Sequence, residues 1–245
     1  MARRTKEESA QTRARLIEAA RSQFERHGYA NTTLEQIARA AGLTRGAVYF
    51  HFADKAALFR AMRDQVELPL IDRIGPGLLS EHDGDPLAAI ERYMLAVIAT
   101  IGGCETTRRT FEILSFGCEY VDGLAPELER QRHRHAELRD QLRDAYRRAH
   151  AQGLLRAGVD PDLAALETTV FLSGLVRVWL LDRGQRLIGP DPGPLVRAHV
   201  RRGAAERART QRTFRTSACR PPPRSARGPT RSPASPRRRL PSPAP

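Results

Sequence analysis

The sequence predicts an all-α protein: a three-helix N-terminal head, a larger helical body and an Arg/Pro-rich tail. Three observations carry this. Apolar residues recur at helical spacing as far as about Leu187, and no run alternates as a strand would. Glycines and capping residues fall where those periodic runs break off. From Pro190 onward, 12 of the 17 prolines gather in company with Arg, Ser and Ala. A chain of 245 residues has room for one or two domains with real cores.

The elements follow in order. Leu16, Ala20 and Phe24 form one stripe of a first helix, which Gly28 can end in left-handed conformation. Thr33 and Gln36 stand as a capping box for a second helix whose apolar positions are Leu34, Ile37, Ala38 and Ala41, and Gly42 ends it. Thr44 can cap a third helix reaching about His51. Asp54 can cap a fourth through "KAALFRAMRDQVEL", which Pro69 is expected to interrupt. Residues 71–85 hold three glycines and a proline and read as irregular or short helix. Longer helices are expected over 87–102, 106–120, 126–152 and 162–182, with Gly153 and Asp160–Pro161 marking a stop and the next start. The final "PPPRSARGPTRSPASPRRRLPSPAP" cannot bury a core and is expected to be disordered. The division that results is 1–64, 65–199 and 200–245.

Charge follows the same division. Residues 197–245 contain 14 arginines and one acid, Glu206, so the whole formal charge of +13 sits there and the preceding residues, with 27 of each sign, are neutral. Within that neutral part, residues 1–65 carry 12 basic against 7 acidic side chains, and 66–196 carry 15 against 20. A basic front and an acidic middle suit a head that meets DNA on a body that binds something else. Cys104, Cys118 and Cys219 are odd in number and form no C-x-x-C pattern, which argues against a disulfide framework or a zinc site. The start "MARRTKEESAQTRARL" has no apolar core of a signal peptide. The stretches "YMLAVIATIGG" and "TTVFLSGLVRVWLL" fall short of the roughly 20 residues that cross a bilayer. The expectation is a soluble cytoplasmic protein without a membrane partner.

The most informative stretch is "LTRGAVYFHFADK", residues 43–55. Gly42 can supply the positive φ of a tight turn, and Leu43 can plug the corner of a helix-turn-helix. Arg45 and Tyr49 lie i, i+4 on one side of the short third helix. Arginine reaches guanine edges bidentately, or a phosphate. Gly46 lets the backbone approach a groove, while Tyr49 and His51 can donate to phosphates and fix register. Val48 and Phe52 then face the other helices, and Lys55 with the start of the fourth helix offers one more phosphate anchor. The plain alternative makes "AVYFHF" core packing and Arg45 an ordinary surface charge. The capped helix before it, the glycine turn and the basic front favour the DNA reading.

"TTLEQIARAAGLTRGAVYFHFADKAALF" resembles the N-terminal domain of the TetR family of bacterial repressors. "MARRTKEESAQTRARLIEAA", "GDPLAAIERYML" and "TFEILSFGCEYV" resemble the multidrug-efflux repressors of the AcrR and TtgR type, as far as about His199. The resemblance implies an all-helical homodimer that dimerises through its last two helices. It implies a transcriptional repressor of an efflux operon, bound to a pseudo-palindromic double-stranded operator and released by small lipophilic effectors. The alternative is a DNA-binding dimer acting as an activator or architectural protein without induction. By the resemblance, Thr33, Thr44, Arg45, Gly46, Tyr49, His51 and Lys55 form the DNA-contacting set, and Glu67 matches the position of a pocket carboxylate.

Phe111, Phe116 and Trp179 are further candidates for the effector site. A buried carboxylate among rings suits cationic lipophilic compounds. The plain alternative makes each ring core packing and Glu67 a solvated helix charge. His133 and His135 are two apart and point away from each other on a helix, so no metal is expected. No Ser-His-Asp order, Walker loop or dinucleotide fingerprint appears, so neither catalytic residues nor a cofactor are expected. The chain departs from the family after "PLVRAHV": Leu195, Val196 and Val200 begin an apolar helix, and "RRGAAERARTQRT" replaces its apolar face. A reading frame shifted after about Val200 and an arginine tail adding nonspecific DNA affinity both accommodate that change.

Overall fold

Capping chemistry decides where the helices start. In the computed structural model, which describes residues 2–74, 79, 84–182 and 184–205 (backbone alone for 2–5 and 68–74), the described residues form nine α-helices. They are α1 (Ala2–His27), α2 (Leu34–Ala40), α3 (Arg45–His51), α4 (Lys55–Ile74), α5 (Pro86–Gly102), α6 (Glu105–Phe116), α7 (Ala125–Ala151), α8 (Pro161–Leu181) and α9 (Gly193–Gly203). Asp85 caps α5 and Asp160 caps α8, each accepting from two backbone N–H groups and each followed by a proline at the first helical position. A 3₁₀ turn, Asp122–Leu124, leads into α7. Among the described residues there is no strand, only an isolated antiparallel bridge between Leu155 and Ala204.

Two apolar clusters organise these helices. The first joins Leu16, Ile17, Ala20 and Phe24 of α1 to Ile37 and Ala38 of α2, Val48 of α3 and Leu58, Phe59 and Met62 of α4, and it takes in Ile113 and Leu114 of α6. The second joins Leu87, Ile90, Met94 and Ile98 of α5 to Leu142, Ala145, Tyr146 and Ala149 of α7, Leu172, Leu175 and Trp179 of α8 and Val196 and Val200 of α9. Phe111 packs against both. Polar ties add to the α1–α6 contact. Arg21 of α1 is buried and donates to Thr110 Oγ1 at 3.0 Å, and the Tyr29 N–H donates to the Gly117 carbonyl at 2.8 Å. Arg109 of α6 reaches Glu25 at 2.7 Å and Glu18 at 3.1 Å.

Several expectations are corrected. Pro69 does not interrupt α4, which runs on to Ile74; proline removes one N–H donor, and the backbone continues as helix on either side of that single loss. The helix expected over 106–120 stops at Phe116: the Gly117 N–H makes the closing helical bond to Ile113, and a loop follows. The apolar stretch of α8 is not too short to cross a membrane, since the helix runs 21 residues and passes by length and composition. Its inner face nevertheless lies in the second cluster. The expected tail from residue 200 begins later, for Val200 and Ala204 are fully packed and the Ala205 N–H donates to the Leu154 carbonyl at 2.8 Å. Residues 206–245, on which the expectation of disorder rests, lie outside the described residues, as does Cys219. Cys104 is exposed and Cys118 half-buried, and both are free thiols.

Candidate nucleic-acid interface and effector region

The corner between α2 and α3 is built from three local devices. The Thr33 hydroxyl accepts from the Gln36 N–H at 3.2 Å, and the Gln36 side chain accepts from the Thr33 N–H at 2.7 Å, so the capping box is complete. Gly42, at φ +63°, turns the chain out of α2 while its N–H donates to Arg39 and that of Leu43 donates to Ala38. Thr44 then caps α3 by accepting from the Ala47 N–H at 3.2 Å. Both threonine hydroxyls act as acceptors in these caps, so each keeps its O–H free to donate outward.

α3 is held by one side and bare on the other. Val48 and the following Phe52 are buried, with the Arg13 guanidinium 5.2 Å above the Phe52 ring. Arg45, Gly46 and Tyr49 are exposed, and His51 is half-buried. A Cβ at Gly46 would meet nothing nearer than Thr44 Oγ1 at 3.8 Å, so packing within the protein does not demand glycine there. Arg45 donates to Glu35 at 2.5 Å and to the Tyr49 hydroxyl at 3.3 Å. Sequence reasoning overlooked Phe50, which is 79% exposed on the same helix and meets His51 edge to face. It also overlooked Glu35.

Lys55 is held within the head itself. Its ammonium donates to the carbonyls of Tyr29 and Thr32 at 2.8 Å each and of Ala30 at 3.3 Å, and sits 4.3 Å from the Tyr29 ring centroid. An ammonium has three donors, and three carbonyls take them. Burial holds its pKa below the ordinary lysine value.

The effector candidates fall among three sets of partners. Glu67 is buried on α4 and paired with Arg134 of α7 and with Arg63 Nε at 3.2 Å, while Arg63 also pairs with buried Glu127. Burial pushes the Glu67 carboxyl up, and Arg134, then Arg63 and Arg130, pull it back without reversing the direction. The carboxylate is therefore neither the solvated charge nor the free counter-charge that the sequence suggested. Trp179 is buried against Gly102, where a Cβ would lie 2.9 Å from the ring, and Arg108 sits 5.3 Å above it. Phe111 is half-buried between the two clusters, and Phe116 is exposed with Arg177 4.8 Å from its ring centroid. His133 is exposed and pairs with Glu137 at 3.1 Å, and among the described residues no group of three His, Cys, Asp or Glu is placed to hold a metal.

Residues 16–62 match the family described as bacterial regulatory proteins, tetR family, and residues 85–186 match the MAATS-type transcriptional repressor C-terminal region. TtgR of Pseudomonas putida, an HTH-type transcriptional regulator, is 39% identical over 186 residues, covering 74% of this chain and 86% of TtgR. The chain belongs to the TetR family. Proteins of this family are transcription factors, not enzymes, and bind DNA operators and small-molecule effectors as dimers. Two solved members are also similar to this TetR-family chain. NalD, the secondary repressor of the MexAB-OprM multidrug efflux pump in Pseudomonas aeruginosa, is 33% identical with a TM-score of 0.69, covering 82% of this chain and 98% of NalD. SmeT in complex with triclosan is 27% identical with a TM-score of 0.65, covering 80% of this chain and 92% of SmeT.

Proposed function

We propose that this chain represses a multidrug efflux operon, binding a pseudo-palindromic operator as a homodimer and leaving it when a lipophilic drug-like effector occupies the body. The observation that carries the reading is the two-sidedness of α3, anchored by Val48 and Phe52 and open at Arg45, Gly46 and Tyr49. In this reading residues 1–64 are the head, 65–199 the effector and dimer body, and the protein works in the cytoplasm. α3 lies in the major groove of one half-site. Arg45 reads a guanine edge, Gly46 lets the backbone close on the groove, and Thr33, Thr44, Tyr49 and His51 donate to phosphates. Lys55 serves as a strut beneath the α1–α2 turn.

The names of the relatives support the efflux assignment, since NalD and SmeT are both described as repressors of multidrug efflux pumps. Effector release follows from differential affinity for two dimer conformations. Glu67, Phe111, Phe116 and Trp179 remain the candidate contacts. A cation must compete with Arg134 for Glu67 and with Arg108 and Arg177 for the ring faces. Neutral lipophilic compounds are therefore the favoured effectors.

The test is fluorescence anisotropy with DNA flanking the protein's own gene. Arg45→Ala should lose about 1–3 kcal/mol with relaxed base preference, and Tyr49→Phe should weaken all sites evenly. If Arg45→Ala binds every sequence as the wild type does, α3 is not the reader. A panel of lipophilic drugs that never displaces the protein would favour an activator or architectural role.

A further inference from the structure

We infer that Glu35 is a positioning residue that sets how strictly Arg45 discriminates base from phosphate, an inference that rests on α3 being the DNA reader. Glu35 lies in the first turn of α2 and Arg45 is the first residue of α3, and the Gly42 corner brings them together. One terminal nitrogen of Arg45 donates to Glu35 Oε1 at 2.5 Å and the other to the Tyr49 hydroxyl at 3.3 Å. The guanidinium carbon sits 5.4 Å from the Tyr49 ring centroid. The two charged side chains are 61% and 60% exposed, on the face that α3 leaves open.

An exposed ion pair of this kind adds little stability. An acid in the first turn also suits the α2 dipole, but that would require no contact with Arg45. The effect on recognition is larger. The guanidinium stays a full cation, but together with Glu35 it presents its N–H donors from a pair with no net charge. A phosphate is drawn mainly by charge, and it meets a carboxylate beside the arginine. Guanine O6 and N7 are neutral acceptors drawn by geometry, and the remaining N–H groups still serve them. Glu35 therefore penalises phosphate contact by Arg45 more than guanine contact.

Glu35→Gln keeps an oxygen acceptor for Arg45 and removes the charge, without touching the core. The full chain is measured by anisotropy on two probes: a duplex that the wild type enriches from a random pool, and a mixed-sequence duplex of equal length. For Glu35→Gln, binding to the mixed-sequence duplex should tighten about fivefold and its salt slope should steepen by about one ion, with the enriched duplex changing less than about twofold. In an Arg45→Ala background the same substitution should change mixed-sequence binding by less than about twofold. An unchanged ratio and slope overturn the inference, and so does an equal effect without Arg45, which would make the carboxylate a plain field. Failure of the wild type to enrich any sequence overturns the DNA-reading assignment itself, and this inference with it.

Discussion

The Lys55 ammonium reaches back from the start of α4 to three carbonyls in the turn between α1 and α2, and so closes the floor under the reading helices. Replacing it with an isosteric apolar chain would leave those carbonyls short of a donor. Lys55→Met should lower the unfolding free energy by about 1–2 kcal/mol, measured by urea titration. The salt slope of DNA binding should stay as in the wild type, whereas removal of a phosphate ligand would reduce it by about one. A reduced slope with unchanged stability would return Lys55 to the DNA-contacting set. Sequence reading at this scale succeeded where partners are near in the chain. Thr33 and Gln36 are three residues apart and their reciprocal cap was legible. The acceptors of Lys55 lie 23 to 26 residues upstream and Glu35 lies 10 before Arg45, so both contacts exist only once the turns are formed.

At the scale of elements, α9 is docked by a polar chain as well as by Val196 and Val200. The Tyr146 hydroxyl of α7 meets Thr168 Oγ1 of α8 at 2.8 Å, which in turn meets His199 Nε2 of α9 at 2.9 Å, and the imidazole stacks on Phe171 at 4.1 Å. Burial lowers the His199 pKa from its ordinary value, with Glu167 raising it and Arg202 lowering it by smaller amounts. The unfolded chain then takes the proton first as pH falls. Stability is fully present above about pH 6.5 and declines below it, until the folded imidazole is itself protonated. His199→Gln should shrink the fall in melting temperature between about pH 8 and pH 5.5; an undiminished fall would mean other groups carry it. Helix starts were legible because Asp85, Asp160 and the prolines after them act locally. The pairing of Glu67 with Arg134 was not, since it depends on a neighbouring helix that periodicity does not name.

At the scale of the whole molecule, the outer face of α8 is left bare. Leu163, Leu166, Val170, Val178 and Leu181 are all exposed, and at 100° per residue they fall within about a third of the helix circumference. Leu195 of α9 is exposed as well. A stripe of this kind, on a helix whose other face is core, suits the contact between the two copies of the proposed homodimer. Gly174 lies within the same face, where the absence of a side chain permits close approach. Val170 is 63% exposed near the middle of the stripe, so a charge placed there leaves the core intact and meets its own image across a two-fold axis. Val170→Glu should sediment as a monomer at micromolar concentration. It should also bind its operator about 10²-fold or more weakly, because the second head is no longer tethered to the first. The two readouts belong together: a monomer that still binds as tightly as wild type would separate DNA recognition from dimerisation. A variant that remains a dimer would move the interface off α8.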